Sequence, residues 1–161
     1  MSGLHMYLLG QSKLYIGATP CKLSLRKAEA LLYFCFFSKR PLSVLTLCDI
    51  FWPTPDFEET QARRHLNNAL YRLNKDLRSI AAPGNVPTYL GRSKDKEMVA
   101  FHRDCAHSCD VEDFEALVRD ATGQTPLSTL EQAFKLYQGP FLADFSPPDA
   151  PDFDRWVEAK R

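Results

Sequence analysis

The segment ARRHLNNALYRLNKDL, residues 62–77, carries the side chains best suited to recognition chemistry. At about 100° per residue its leucines fall in one narrow arc, which predicts the buried side of an amphipathic helix over residues 60–79. These leucines are Leu66, Leu70, Leu73 and Leu77. The opposite arc and its flank hold hydrogen-bonding or cationic side chains, which are Gln61, Arg64, Asn67, Asn68, Tyr71, Arg72 and Lys75.

This polar face fits two interpretations. Arg can bind guanine through two hydrogen bonds, Asn can bind adenine, and Lys and Tyr can reach phosphates, all within a major groove that admits one helix. The face could equally be an ordinary solvated surface. Residues 60–79 contain five Arg or Lys but only one acid, Asp76, so salt bridges within the helix do not account for the positive charge. The composition of the helix alone leaves both interpretations open.

A second group of reactive side chains lies in the segment HRDCAHSCD, with His102, Cys105, His107 and Cys109 within eight residues. Alternation would place three soft ligands on one side of an extended chain, but the spacing is not the paired pattern of structural zinc sites. The segment is therefore predicted to be a linker, and metal sensing through Cys105 and Cys109 is the minor alternative.

No motif for catalysis accompanies these groups. The sequence has no Gly-rich phosphate loop, no G-x-S-x-G elbow and no convincing carboxylate pair, and we therefore predict that the protein is not an enzyme and uses no cofactor or metal.

Charge divides the chain into two parts that the zero net charge conceals. Residues 1–109 hold 15 Lys and Arg against 9 Asp and Glu, whereas residues 110–161 hold 5 against 11. A basic module followed by an acidic one is the expectation.

The longest apolar run, residues 30–37, is well short of the roughly 20 residues that cross a bilayer. The five cysteines are too few for a disulfide scaffold, which indicates reduced thiols. These features predict a cytoplasmic protein without membrane contact.

Turn signals and hydrophobic periodicity predict the elements of the basic part. The predicted strands are 4–9, 13–16 and 21–24, the predicted helices are 25–38, 44–51 and 60–79, and a hairpin surrounds the turn at 93–96. Ser24 and Ser43 are the predicted caps of the first two helices. In the acidic part, amphipathic helices are predicted to start near 110, 126 and 151. The third still has its apolar face where the sequence ends, which indicates the N-terminal part of a longer protein.

The order of strands, three helices and hairpin resembles the OmpR-type winged helix-turn-helix, and the details are similar to the antibiotic-regulatory (SARP, AfsR-like) transcriptional activators. LSLRKAEALLYFCFF, LTLCDIFWP and ARRHLNNALYRLNKDL match the three helices. DVEDFEALVRDA, LEQAFKLYQGPFLADF and FDRWVEAKR resemble the start of a bacterial transcriptional activator domain. The resemblance implies an α+β fold, with a winged helix-turn-helix over residues 1–104 and the truncated, TPR-like helical domain over residues 105–161.

The resemblance also implies roles for individual residues. The expected DNA contacts lie on the third helix and the hairpin: Arg63, Arg64, Asn67, Asn68, Tyr71, Arg72, Lys75, Arg92, Lys94 and Lys96. The loop before the third helix, with Asp56, Glu58 and Glu59, is the expected contact with RNA polymerase, and an ordinary exposed acidic loop is the alternative. The family commonly has basic residues at the end of this helix, where this chain has Asn74 and Asp76, which predicts weaker nonspecific DNA affinity.

These expectations combine into a sequence-specific regulator of double-stranded DNA that acts as an activator, associates with itself on tandem sites and engages RNA polymerase. The alternative is an interaction adaptor whose winged helix contacts protein instead of DNA, and the neutral total charge is compatible with it.

Overall fold

Seven short strands and six helices succeed one another in the computed structural model, which describes residues 3–53, 58–80, 87–119 and 121–161. The strands are β1 (Leu4–Tyr7), β2 (Lys13–Ile16), β3 (Thr19–Cys21), β4 (Leu42–Ser43), β5 (Leu90–Arg92), β6 (Met98–Phe101) and β7 (His107–Cys109). The helices are α1 (Arg26–Ser38), α2 (Val44–Phe51), α3 (Glu59–Ile80), α4 (Asp110–Val118), α5 (Leu127–Leu136) and α6 (Pro151–Lys160). The predicted α+β class and the order of strands, three helices and hairpin are confirmed.

The N-terminal sheet has four strands in the order β3-β2-β1-β7. β1 and β2 are antiparallel, whereas β7 runs parallel to β1 with Leu4 opposite His107. The segment that was predicted to be a linker is therefore partly a strand of this sheet. Its attachment is reinforced by Tyr89, whose hydroxyl accepts from Leu4 N at 3.1 Å and donates to Ala106 O at 2.8 Å.

The boundaries of two predicted strands were wrong, and after each strand a side-chain carboxylate accepts hydrogen bonds from backbone N–H groups. β1 ends at Tyr7 rather than residue 9, since the Asp110 carboxylate accepts from Leu8 N at 2.7 Å and Leu9 N at 3.0 Å. β3 covers residues 19–21 rather than 21–24. Ser24 does not cap α1; its backbone N–H and its hydroxyl both donate to Asp76 on α3.

The hairpin belongs to a second, three-stranded sheet with the order β4-β6-β5. The sequence did not reveal β4, whose two residues pair with β6 through Leu42 opposite Val99. Ser43, the last residue of β4, caps α2 as predicted by accepting a hydrogen bond from Thr46 N at 3.0 Å. The start of α2 is thereby fixed to the sheet that contains the β5–β6 hairpin, which we call the wing.

The acidic part shares one hydrophobic core with the basic part. Phe153 of α6 lies 5.6 Å from Phe51 of α2, and Trp156 packs edge-on against Phe34 of α1 at 5.1 Å, both between ring centroids. Asp110 is buried, and burial raises the pKa of its carboxyl although it accepts backbone hydrogen bonds. The two parts therefore contact each other through aromatic packing and through a buried carboxylate.

Candidate nucleic-acid interface

The two faces of α3 divide as the periodicity predicts. Its leucines and alanines are buried in the core, and they are Ala62, Leu66, Ala69, Leu70, Leu73 and Leu77. The opposite face is exposed over three turns and displays Arg64, Asn68, Tyr71, Arg72 and Lys75. The Lys75 ammonium lies 5.9 Å from the centre of the Tyr71 ring, within cation–π range. These five residues, which are among those predicted for this face, therefore point to solvent together.

Arg63 lies at the border of this face and is held by acids. Its guanidinium is 3.4 Å from a Glu59 carboxylate oxygen and 3.8 Å from one of Glu97 on the wing. The sequence gives no sign of the Arg63–Glu97 ion pair, because the two residues lie 34 positions apart. Arg63 thus has protein partners that a phosphate would have to displace.

The wing is attached to α3 through a second predicted pair. Arg92 on β5 donates from one terminal nitrogen to the Asn67 side-chain oxygen and from the other to Lys96 O at 2.6 Å. The buried Nε of Arg92 has no partner among the described residues. Asn67 and Arg92, which were predicted as DNA contacts, therefore also fix the orientation of the wing relative to α3.

The tip of the wing carries Lys94 and Lys96, both exposed. The turn beneath them is organised by Asp95, which accepts hydrogen bonds from the Ser93 hydroxyl and from Glu97 N at 3.0 Å. The hydrogen bond from Ser93 lowers the pKa of the exposed Asp95 carboxyl, and Lys96 has a left-handed φ of 62°. Asp95 therefore has a structural role in shaping this turn.

Asn74 and Asp76, the two departures near the end of α3, point toward other elements. The Asn74 amide donates to Leu70 O at 3.0 Å and to Leu90 O at 3.1 Å, which joins α3 to β5. Asp76 accepts both bonds from Ser24. Their identities are explained by packing between elements.

The other predicted sites are less defined. Glu58 and Glu59 are exposed at the start of α3, while Asp56 lies outside the described residues.

In the segment at 102–109, Cys109 is buried and His107 packs edge-on between Phe36 and Phe101. Among the described residues, no three His, Cys, Asp or Glu side chains form a group suited to a metal ion. No described helix is both long and apolar enough to cross a membrane.

The exposed face of α3 and the wing form one continuous surface because the Asn67–Arg92 and Arg63–Glu97 contacts join them. Guanidinium and amide groups on an exposed helix face, beside a hairpin with exposed lysines, are chemically able to bind base edges and phosphates.

Comparison with solved structures finds a similar architecture in EmbR of Mycobacterium tuberculosis, a SARP-family transcriptional regulator, in a complex with a low-affinity phosphopeptide. The superposition has a TM-score of 0.67 and covers 99% of this chain at 21% identity. The chain has a SARP-like fold. It spans 42% of the EmbR chain. No protein-family model and no curated protein sequence matches the chain. The SARP-like fold agrees with the family that the sequence resembles.

Proposed function

We propose that the chain is a sequence-specific DNA-binding transcriptional regulator of the SARP type, with an OmpR-type winged helix-turn-helix. The observation that carries the proposal is the continuous exposed surface of α3 and wing, on which Arg64, Asn68, Tyr71 and Arg72 are accessible together. In this mode α3 enters the major groove, and Lys94 and Lys96 of the wing contact phosphates or the adjacent minor groove. A cytoplasmic location is part of the proposal.

We further propose that the regulator is an activator that binds promoter repeats and engages RNA polymerase. Support comes from the exposed acids Glu58 and Glu59 next to α3, where they could meet a basic partner surface. The residues from 105 onward would form the first part of a TPR-like activator domain.

The decisive experiment begins with selection of bound sequences from a random duplex pool, followed by fluorescence anisotropy on the selected duplex. Arg64→Ala and Asn68→Ala should each weaken binding by about 1–3 kcal/mol, and wild-type affinity should fall steeply between low and high salt. Arg155→Ala, an exposed arginine on α6, is the matched control and should bind as wild type.

An adaptor that binds protein through the winged helix is the alternative. It predicts no duplex enriched by selection, no salt dependence, and unchanged behaviour of Arg64→Ala and Asn68→Ala. Any of these results would contradict DNA binding by α3.

A further inference from the structure

α5 displays an apolar surface that the proposed DNA interface does not use. Its exposed side chains are Leu127 (69% exposed), Leu130 (40%), Phe134 (80%) and Tyr137 (48%), the last being the C-terminal cap of the helix. We call these four residues the α5 stripe. Ala133 is the one residue of α5 that is buried. The amphipathic face that the sequence predicts for this helix is therefore exposed, in contrast to the buried apolar face of α3.

Contiguous exposed apolar side chains of this size are characteristic of contact surfaces rather than of solvated helices. In the described part of the chain, other large exposed hydrophobic residues are Tyr7, Leu45 and Tyr71, each on a different element. The α5 stripe instead concentrates four on little more than three helical turns. Water contact with Phe134 is unfavourable, so an occupant that covers this ring would gain binding free energy.

The charges beside the stripe indicate which occupant fits. At about 100° per residue, Glu131 and Lys135 lie on one common flank of Phe134, and neither side chain forms an ion pair with a residue that the structure describes. If two copies of α5 lie antiparallel about a twofold axis, the same flank of each helix meets the other. Glu131 of each copy then faces Lys135 of its partner, and Leu130 of each faces Phe134.

We propose that the α5 stripe is a self-association surface on which a second copy of this chain docks, with the two α5 helices antiparallel. The arrangement is isologous, because each helix supplies the same residues to the contact. The twofold symmetry then forms each interaction twice. These interactions are the apolar contact of Leu130 with Phe134 and the Glu131–Lys135 ion pair beside it. The inference does not depend on DNA binding.

The dimensions of the stripe predict weak and reversible association. A ten-residue helix is about 15 Å long, so a contact between two such helices buries less than the roughly 1,600 Å² of a standard stable interface. We therefore expect a monomer–dimer equilibrium with a Kd in the micromolar to millimolar range.

Sedimentation equilibrium of the whole chain from about 1 µM to about 1 mM tests the proposal. The wild type should shift from monomer to dimer over this range, and Phe134→Glu should raise the dimer Kd by about a hundredfold or more. Leu45→Glu is the matched control, since Leu45 is an exposed leucine on α2, and it should dimerise as wild type. Circular dichroism verifies that each variant is folded. A wild type that stays monomeric throughout would overturn the proposal, as would dimerisation unaffected by Phe134→Glu.

A charge exchange tests the antiparallel pairing. Glu131→Lys places like charges opposite each other at both symmetric positions and should weaken the dimer by about tenfold. Adding Lys135→Glu reverses both partners and should restore wild-type affinity. If the double variant is as weak as Glu131→Lys alone, the two helices do not pair in the proposed antiparallel arrangement.

Discussion

Arg63 illustrates how a cation predicted to contact DNA is shared with acids in the free protein. Glu59 precedes it by one helical turn, and Glu97 approaches it from the wing. Exposed pairs of this kind contribute little to stability, typically about 0–1 kcal/mol. In the proposed function the two carboxylates compete with DNA for Arg63, because a phosphate that binds the Arg63 guanidinium must replace them.

The Glu97→Gln substitution should therefore strengthen nonspecific DNA binding. Removal of this carboxylate releases Arg63 and reduces repulsion of phosphates, so we expect about a threefold lower Kd and a salt dependence steeper by about one counterion. The measurement is an anisotropy titration on random-sequence duplex at several salt concentrations. Glu112→Gln removes the 3.3 Å partner of Arg103 near α4 and should leave binding unchanged. Equal salt slopes for Glu97→Gln and wild type would mean that Arg63 does not contact phosphate.

Asn74 contributes one of the contacts that attach the wing to α3. Its amide donates simultaneously to a carbonyl in its own helix and to Leu90 O of β5, and the Asn74 side chain is half-buried. Its side-chain oxygen is buried without a partner in the described structure. The family resemblance predicts a lost phosphate contact at Asn74, whereas its hydrogen bonds show a side chain that joins α3 to β5.

Asn74→Ala should lower the free energy of unfolding by about 1–2 kcal/mol, because Leu90 O loses a partially buried donor. Urea denaturation followed by circular dichroism gives this quantity. Asn68→Ala, an exposed asparagine on the same helix, is the control and should change stability by no more than about 0.5 kcal/mol. If the two variants are equally stable, the bond between α3 and β5 contributes nothing to folding.

The sequence predicted the elements that carry their own periodicity. All six helices were located to within a few residues, since each repeats its apolar positions over two or more turns. β4 and β7 were missed because two or three residues contain no periodic signal, and β7 depends on β1, about a hundred residues earlier. The exposed face of α3 could be predicted because it follows from the periodicity of one helix. The Arg63–Glu97 and Asn67–Arg92 contacts could not, because each joins two elements that are distant in the sequence.

The whole molecule is more continuous than the predicted division at residue 104. β7 extends the N-terminal sheet, Asp110 satisfies the backbone N–H groups of Leu8 and Leu9, and α6 packs on α2. All three contacts come from residues 105–161. The basic part therefore relies on the acidic part for a sheet neighbour, for hydrogen-bond acceptors at the end of β1, and for cover over its aromatic side chains.

A fragment of residues 1–104 should consequently be much less stable than the whole chain. It would expose Phe51 and the partly buried Phe34, and it would leave Leu8 N and Leu9 N without Asp110, a loss of several kcal/mol in total. Since each 1 kcal/mol corresponds to about 2–4 °C for a domain of this size, we expect thermal unfolding to shift down by more than about 10 °C or to lose cooperativity.

A fragment of residues 1–119 separates the contributions to this loss. It keeps β7 and the Asp110 acceptors but lacks α6, so its midpoint by circular dichroism should lie between those of the 1–104 fragment and the whole chain. If residues 1–104 unfold cooperatively at the midpoint of the whole chain, the winged helix is energetically independent and the shared core contributes no stability to it. If the 1–119 fragment matches the shorter one, β7 and Asp110 contribute nothing, and the coupling between the two parts comes from residues after 119. These include α6 and the buried Phe141 and Phe145, whose rings contact α1.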